Sequence, residues 1–143
     1  MKVGFDIHGV IDTFPAFRMM IEKYIDDPEV EVHVITGLSQ ESAAKEIGHL
    51  VDLDRIDGYF SIADYLVQRP DVNVSWIDGL PWSGEIAWNE AKATYCYENQ
   101  IDILFDDSPI YSDSFKDIDT IYVQIHNADR KSYKTRPNTG YTK

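Results

Sequence analysis

Four groups of residues could do chemistry together. Asp6 and His8 stand in Phe5-Asp6-Ile7-His8-Gly9-Val10, Thr36-Gly37 closes a β-branched run, Lys92 sits in a helical stretch, and Asp106-Asp107-Ser108-Pro109 ends a second apolar run. Three carboxylates brought together repel one another unless a divalent cation neutralises them. An oxygen-only ligand set favours Mg²⁺, which is commonly held by one or two carboxylates with waters and phosphate. The Thr36 hydroxyl, the Gly37 N–H and the Lys92 ammonium are donors suited to phosphate oxygens. Each group alone has a plainer reading. Asp6 could be a loop carboxylate, Asp-Asp-Ser-Pro is good turn chemistry, Thr-Gly commonly follows strands, and Lys92 could be a solvated helix lysine. Only convergence gives them a shared role.

The charge balance narrows what such a site could hold. The 143 residues carry a formal −12. The end of the chain, 127–143, holds Arg130, Lys131, Lys134, Arg136 and Lys143 against Asp129, a net +4, so residues 1–126 carry −16. A body this acidic is not a duplex nucleic-acid binder, whose affinity rests on Lys and Arg neutralising phosphates. To hold a phosphate it needs a metal cation, a lysine or backbone N–H groups. One cysteine, Cys96, allows neither an internal disulfide nor a cysteine-based zinc site, and its place on an apolar helix face predicts a buried, inert thiol. The opening MKVGFDIHGV reads as neither secretory signal nor membrane span, so a cytoplasmic protein without membrane association is expected.

The elements that must position these groups alternate along the chain. Lys2–Ile7, Val30–Thr36, Ile101–Phe105 and Thr120–His126 read as strands, with a weaker candidate near Gly58–Ile62. Between them, Pro15–Ile25 carries Phe17, Met20, Ile21, Tyr24 and Ile25 at helical spacing. Ser39–Leu53 reads as a helix capped by Ser39, with Ala43, Ala44, Ile47, Leu50 and Val51 on one face. Glu85–Asn99 reads as a third, with Ile86, Ala87, Ala91, Tyr95 and Cys96 inward. Val72–Gly84 looks irregular, with turn signals at Asp78-Gly79, Pro81 and Ser83-Gly84. Strands separated by helices imply βαβ units and a parallel sheet covered on both faces. Ligands of such sheets bind beyond the carboxyl ends of the strands, where all four groups fall. No G-x-G-x-x-G follows the first strand, so a dinucleotide site is not expected. His33 and His49 read as structural or exposed. Trp76, Trp82 and Trp88 lie in or beside the irregular segment, where lid or core packing is favoured over stacking on a ring.

The order Asp6-x-His8-Gly9-Val10, Ile35-Thr36-Gly37, Lys92, Asp106-Asp107-Ser108-Pro109 resembles the four motifs of the haloacid dehalogenase (HAD) superfamily in their usual order, across about residues 3–115. Trp88-Asn89-Glu90-Ala91-Lys92 followed by Ile101–Pro109 is similar to its small-cap or capless 5'(3')-deoxyribonucleotidase-like branch. A phospho-receiver domain has similar groups, but its acidic pair follows the first strand and its lysine comes last, the reverse of the order here.

The resemblance implies a three-layer α/β sandwich with a parallel five-stranded, Rossmann-like sheet in the order 5-4-1-2-3. It implies a core over 1–126, with 63–85 as a small lid-like insertion and 127–143 as a basic tail. Asp6 would be the nucleophile of a phosphatase working through an aspartyl-phosphate. Asp6, the backbone carbonyl of His8, Asp106 and Asp107 would hold Mg²⁺, and Thr36 with Lys92 would clamp the phosphate. The departure is His8, where most family phosphatases carry an aspartate as acid/base. Imidazole can serve that purpose near neutral pH, or the exchange marks a domain that binds phosphate or a partner without turnover. With only a small insertion the site stays open, admitting large substrates or leaving a second copy or a partner protein to close it. A small phosphate ester is the expected substrate. A nucleoside monophosphate is the first guess, on analogy and the tryptophans.

Overall fold

The computed structural model describes residues 1–77 and 80–128, with the side chains of 77 and 80–82 left aside. The basic residues of the tail, from Arg130 on, and the Asp78-Gly79 pair lie outside the described residues.

The chain alternates as expected. Strand β1 (Lys2–Phe5) leads through a wide loop to helix α1 (Pro15–Ile25), then β2 (Glu31–Thr36), α2 (Gln40–Ile47), β3 (Gly58–Ser61) and α3 (Ile62–Val67). Two short strands, β4 (Ser75–Ile77) and β5 (Leu80–Trp82), precede α4 (Glu85–Glu98) and β6 (Ile103–Asp106). A 3₁₀ turn over Pro109–Phe115 leads to β7 (Ile121–Gln124). Five strands form one all-parallel sheet in the order β3-β2-β1-β6-β7, the order expected. No helix of the described residues is long and apolar enough to cross a membrane.

Alternation along the strands divides the core into two, because successive side chains point to opposite faces. Val3, Phe5, Val32 and Val34 pack with Ile21 of α1 and with Ala43 and Ile47 of α2. Ile35, Phe60 and Leu104 pack on the other face with Leu66 of α3, Ala91 and Cys96 of α4, and Phe115. Helices thus cover both faces. On the first face Phe5 stacks on Phe105 at 5.5 Å between ring centroids, and Phe17 lies 5.2 Å from Phe105, which locks β1 beside β6. On the second face Gly4 leaves room that a Cβ would take from Ile35 Cδ1, 2.6 Å away.

Three local expectations need correction. The second helix stops at Ile47 rather than Leu53. Ser39 caps it as expected, its Oγ accepting from Ser42 N at 3.1 Å, but the chain turns out at Gly48, where any Cβ would lie 2.4 Å from the Ala44 carbonyl oxygen. Val51 still reaches the core, through a turn. Ile86 is not inward but 73% exposed: in the first turn of α4 the neighbouring Ala87 and Trp88 pack on the core, and Ile86 lies on the uncovered side. The segment 72–84 is not wholly irregular: β4 and β5 pair antiparallel, Ser75 opposite Trp82 and Ile77 opposite Leu80.

Candidate functional site

The sheet order reverses between β1 and β6, since β2 and β3 lie to one side of β1 while β6 and β7 lie to the other. Such a switch point leaves a crevice beyond the carboxyl ends of the two central strands. Phe5 pairs with Phe105, so the next residues, Asp6 and Asp106, end their strands side by side. Asp6 N donates to Phe105 O at 2.9 Å and continues the ladder to that point. Asp107 follows, and carboxylate oxygens of Asp6, Asp106 and Asp107 lie within 4.8 Å of one another.

Lys92 comes to the same place from α4. Its side chain is 1% exposed, with Nζ 2.5 Å from Asp106 Oδ2 and 3.3 Å from Asp6 Oδ1. The ammonium also lies over the ring of Tyr111, 4.4 Å from its centroid. Asp6 Oδ1 accepts from Ile7 N at 2.8 Å, and Asp106 Oδ1 accepts from Ser108 N at 2.9 Å. Asp106 is fully buried, Asp6 nearly so, and Asp107 partly.

One ammonium among three carboxylates leaves excess negative charge. Burial is the chief reason the Asp6 carboxyl rises from an ordinary 3.8 to about 7. The charge of Asp106 adds to this, Lys92 and the Ile7 N–H oppose it, and Asp107 raises it slightly further. Burial would discharge Lys92, but Asp106 and Asp6 outweigh it and hold the ammonium well above the usual lysine range. Without a further cation, then, Asp6 holds its proton to a higher pH than an ordinary carboxyl. This all-oxygen donor set, short of positive charge, fits a hard divalent ion such as Mg²⁺.

The loop after β1 is shaped for this arrangement. Asp12 N donates to Ile7 O at 3.1 Å, and Gly9 N donates to Asp12 Oδ1 at 2.8 Å. Gly9 has φ +80°, where side chains are strained, and a Cβ there would lie 2.0 Å from Asp107 Oδ2. The glycine lets the loop backbone close onto the Asp107 carboxylate.

Thr36 ends β2, the next strand, and is buried, its Oγ1 accepting from Leu38 N at 3.3 Å. Gly37 is covered by the Trp88 indole, with Cζ2 3.1 Å from where a Cβ would stand. Trp88 Nε1 donates to the Tyr111 hydroxyl at 3.1 Å, so the indole links Gly37 to the ring beneath Lys92. Sequence reasoning missed Tyr111. The available signal was Pro109 at the first position of the 3₁₀ turn, which brings Tyr111 back over the helix. The Asn89 side-chain oxygen, one turn before Lys92, is buried without a hydrogen-bond partner among the described residues, which is uncommon for a polar atom.

His8 is placed differently. Its side chain is 56% exposed, and Nε2 lies 3.2 Å from Glu46 Oε2 of α2, so the ring is held at the surface rather than within the carboxylate cluster. His33 is buried between Tyr95 and Glu31, and His49 is exposed. Cys96 is buried, and burial raises its thiol to about 12.

Comparison with family models, curated proteins and solved structures returns no match.

Proposed function

We propose that this chain is a Mg²⁺-dependent phosphoric monoester hydrolase of the haloacid dehalogenase type, with Asp6 as the nucleophile. The observation that supports it is the meeting of Asp6, Asp106, Asp107 and buried Lys92 at the point where the sheet order reverses. Asp6, Asp106, Asp107 and the His8 backbone carbonyl would hold Mg²⁺. When bound, that ion supplies positive charge that offsets the carboxylates and the phosphate.

The chain's own residues do the rest. The Thr36 hydroxyl and the Gly37 N–H donate to phosphate oxygens. Lys92 donates to Asp106 and is ion-paired with Asp6, and its three N–H groups leave a donor for the ligand. An ionised Asp6 oxygen attacks phosphorus, the bond to the ester oxygen breaks, and that oxygen leaves as an alcohol after taking a proton. Water then attacks the aspartyl-phosphate, releasing inorganic phosphate and restoring the Asp6 carboxylate. In this reading His8 would leave its contact with Glu46 to give the first proton and take the second. A small phosphate ester, with a nucleoside monophosphate first to be tried, is the substrate class.

A second reading, phosphate or partner binding without turnover, is favoured by the His8–Glu46 contact, which keeps the imidazole at the surface. Phosphatase assays with Mg²⁺ separate the two. The wild type should turn over, and Asp6→Asn should fall by about 10⁴-fold or more, toward background. Beryllium fluoride should trap the wild type and not the variant. Activity that survives in Asp6→Asn excludes covalent catalysis through this residue, and trapping without turnover favours the binding reading.

A further inference from the structure

A groove of about 500 Å³ lies at the carboxyl end of β3, two strands from β1. Its walls include Tyr59, Tyr65, Trp76, Gln40, Asp64 and Gln68, and Ser61, which ends β3, lines it as well. Thr36 pairs with Ser61 across β2 and β3, while Phe5, the residue before Asp6, pairs with Val34 of β2. Ser61 therefore lies two strand spacings, about 10 Å, from Asp6. That is the reach of a ring attached to a phosphate held between Asp6 and Thr36.

The lining limits what that ring can be. Among the described residues it contains no lysine or arginine, and Asp64 is the one charged residue of its lining. Asp64 Oδ2 accepts from Gln40 N at 3.1 Å, and an ionised carboxylate keeps further acceptor sites. An anionic leaving group would meet that carboxylate in an already acidic body, and the cation over the Tyr65 ring, Arg69, is already paired with Asp71. The Tyr59 hydroxyl donates to the Leu38 carbonyl, so Tyr59 offers the groove chiefly ring surface, while the Tyr65 oxygen accepts from Arg69, whose guanidinium lies over the Tyr65 ring, and its O–H is left to donate. Trp76, one of the lining residues, is 55% exposed. Aromatic faces beside carboxylate and amide hydrogen-bonding groups suit a ring with an apolar face and a hydroxyl edge.

Resting on the hydrolase reading above, we infer that this groove receives the leaving group of the ester and that this group is an uncharged, hydroxylated sugar ring. A hexose phosphate and the ribose of a nucleoside phosphate share that chemistry. Trp76 provides the platform, and Asp64 and Gln68 bond the hydroxyl edge.

The test compares wild type, Trp76→Ala and Gln68→Ala on four esters with Mg²⁺: a hexose 6-phosphate, a nucleoside 5′-monophosphate, glycerol 3-phosphate and a hexose bisphosphate. The wild type should show KM lower for a ring monoester than for glycerol phosphate or the bisphosphate. Trp76→Ala should shrink the KM ratio between ring ester and glycerol phosphate by about tenfold, through KM rather than kcat. The ring ester with the larger ratio identifies the source. Preference for the bisphosphate, or a ratio unmoved by both substitutions, overturns the groove assignment. Calorimetric binding of the two ring monoesters to Asp6→Asn, with and without Trp76→Ala, separates the groove from the chemistry. Binding that depends on Trp76 while the wild type turns over nothing keeps the groove and removes the hydrolase. Turnover without any Trp76 dependence does the reverse.

Discussion

The two ends of the central sheet both carry aspartates at strand boundaries, and they use them in opposite ways. At the amino end, Asp102 precedes β6 and exchanges two bonds with Lys2 of β1. Its N–H donates to Lys2 O at 2.8 Å, and its Oδ2 accepts from Lys2 N at 2.7 Å. Asp57 precedes β3 and does the same with Val32 of β2, at 2.9 and 2.7 Å. These carboxylates satisfy the first free N–H of a neighbouring strand and stay apart from each other. At the carboxyl end, Asp6 and Asp106 lie side by side, buried, with Asp107 and a buried lysine. Capping a strand does not require carboxylates to converge or lose solvent. The cost accepted at the carboxyl end is therefore the mark of a site, and it predicts different responses to mutation, pH and metal at the two ends.

The largest stability difference should come from Lys92. Removing one partner of a buried charge pair typically destabilises by about 3–5 kcal/mol, because the other charge is left uncompensated. Lys92→Met should lose stability on that scale in chelator, and Mg²⁺ should restore part of it by neutralising the same carboxylates. Denaturant titrations with and without Mg²⁺ measure both. A loss below about 1 kcal/mol would mean that Lys92 does not hold the carboxylates together.

Next is pH. With Asp6 raised from 3.8 to about 7, the folded state keeps a proton between those values that the unfolded chain has released. The folded state binds more protons there, so stability falls as pH rises from about 4 to about 7 and levels off above. Each pH unit across the window costs up to about 1.4 kcal/mol. Mg²⁺ favours the ionised carboxyl and should flatten the slope. A metal-free protein whose stability is level from pH 5 to 8 would contradict the raised Asp6.

A smaller and more local effect belongs to Gly9. Gly9→Ala places a Cβ against the Asp107 carboxylate and forces a side chain onto φ +80°. Strain of this type costs about 1–3 kcal/mol. Because the displaced group is Asp107, Mg²⁺ affinity should weaken with it, whereas a merely strained loop would lose stability and bind Mg²⁺ as before. Calorimetric Mg²⁺ titration distinguishes the outcomes.

How much of this the chain revealed beforehand depends on the range of the forces involved. The strand cores and α1 were legible because alternation and helical spacing report burial locally, and Pro15–Ile25 falls where the pattern put it. The meeting of Asp6 and Asp106 was legible because a parallel sheet brings strand ends together. The end of α2 was not, since Leu50 and Val51 continue the apolar pattern while Gly48 turns the chain. Ile86 was misread because periodicity shows a face, not whether anything covers it. The surface position of His8 was hidden for a third reason: its partner, Glu46, is 38 residues away and carries no motif. Tyr111 was missed likewise, because its contact with Lys92 is made through space.

The smallest expected effect lies at the amino end, where it serves as the control for everything above. Asp57→Ala removes the acceptor for Val32 N but leaves the reciprocal backbone bond from Asp57 N to Val32 O in place. Val32 is buried, but Asp57 is exposed, so removing its side chain opens the sheet boundary to water. A single hydrogen bond of this type contributes about 1 kcal/mol, somewhat more when the acceptor is charged. Asp57→Ala should therefore lower stability by about 1–2 kcal/mol, with the same loss in chelator and in Mg²⁺. Mg²⁺ affinity and phosphatase kinetics should stay at wild-type values, since no Asp57 contact leads to the carboxylate cluster. Paired denaturation curves with and without Mg²⁺ decide the matter. A Mg²⁺-dependent change in Asp57→Ala would mean that the two ends are coupled through β1 and β2, and the contrast between a capping end and a chemical end would then fail.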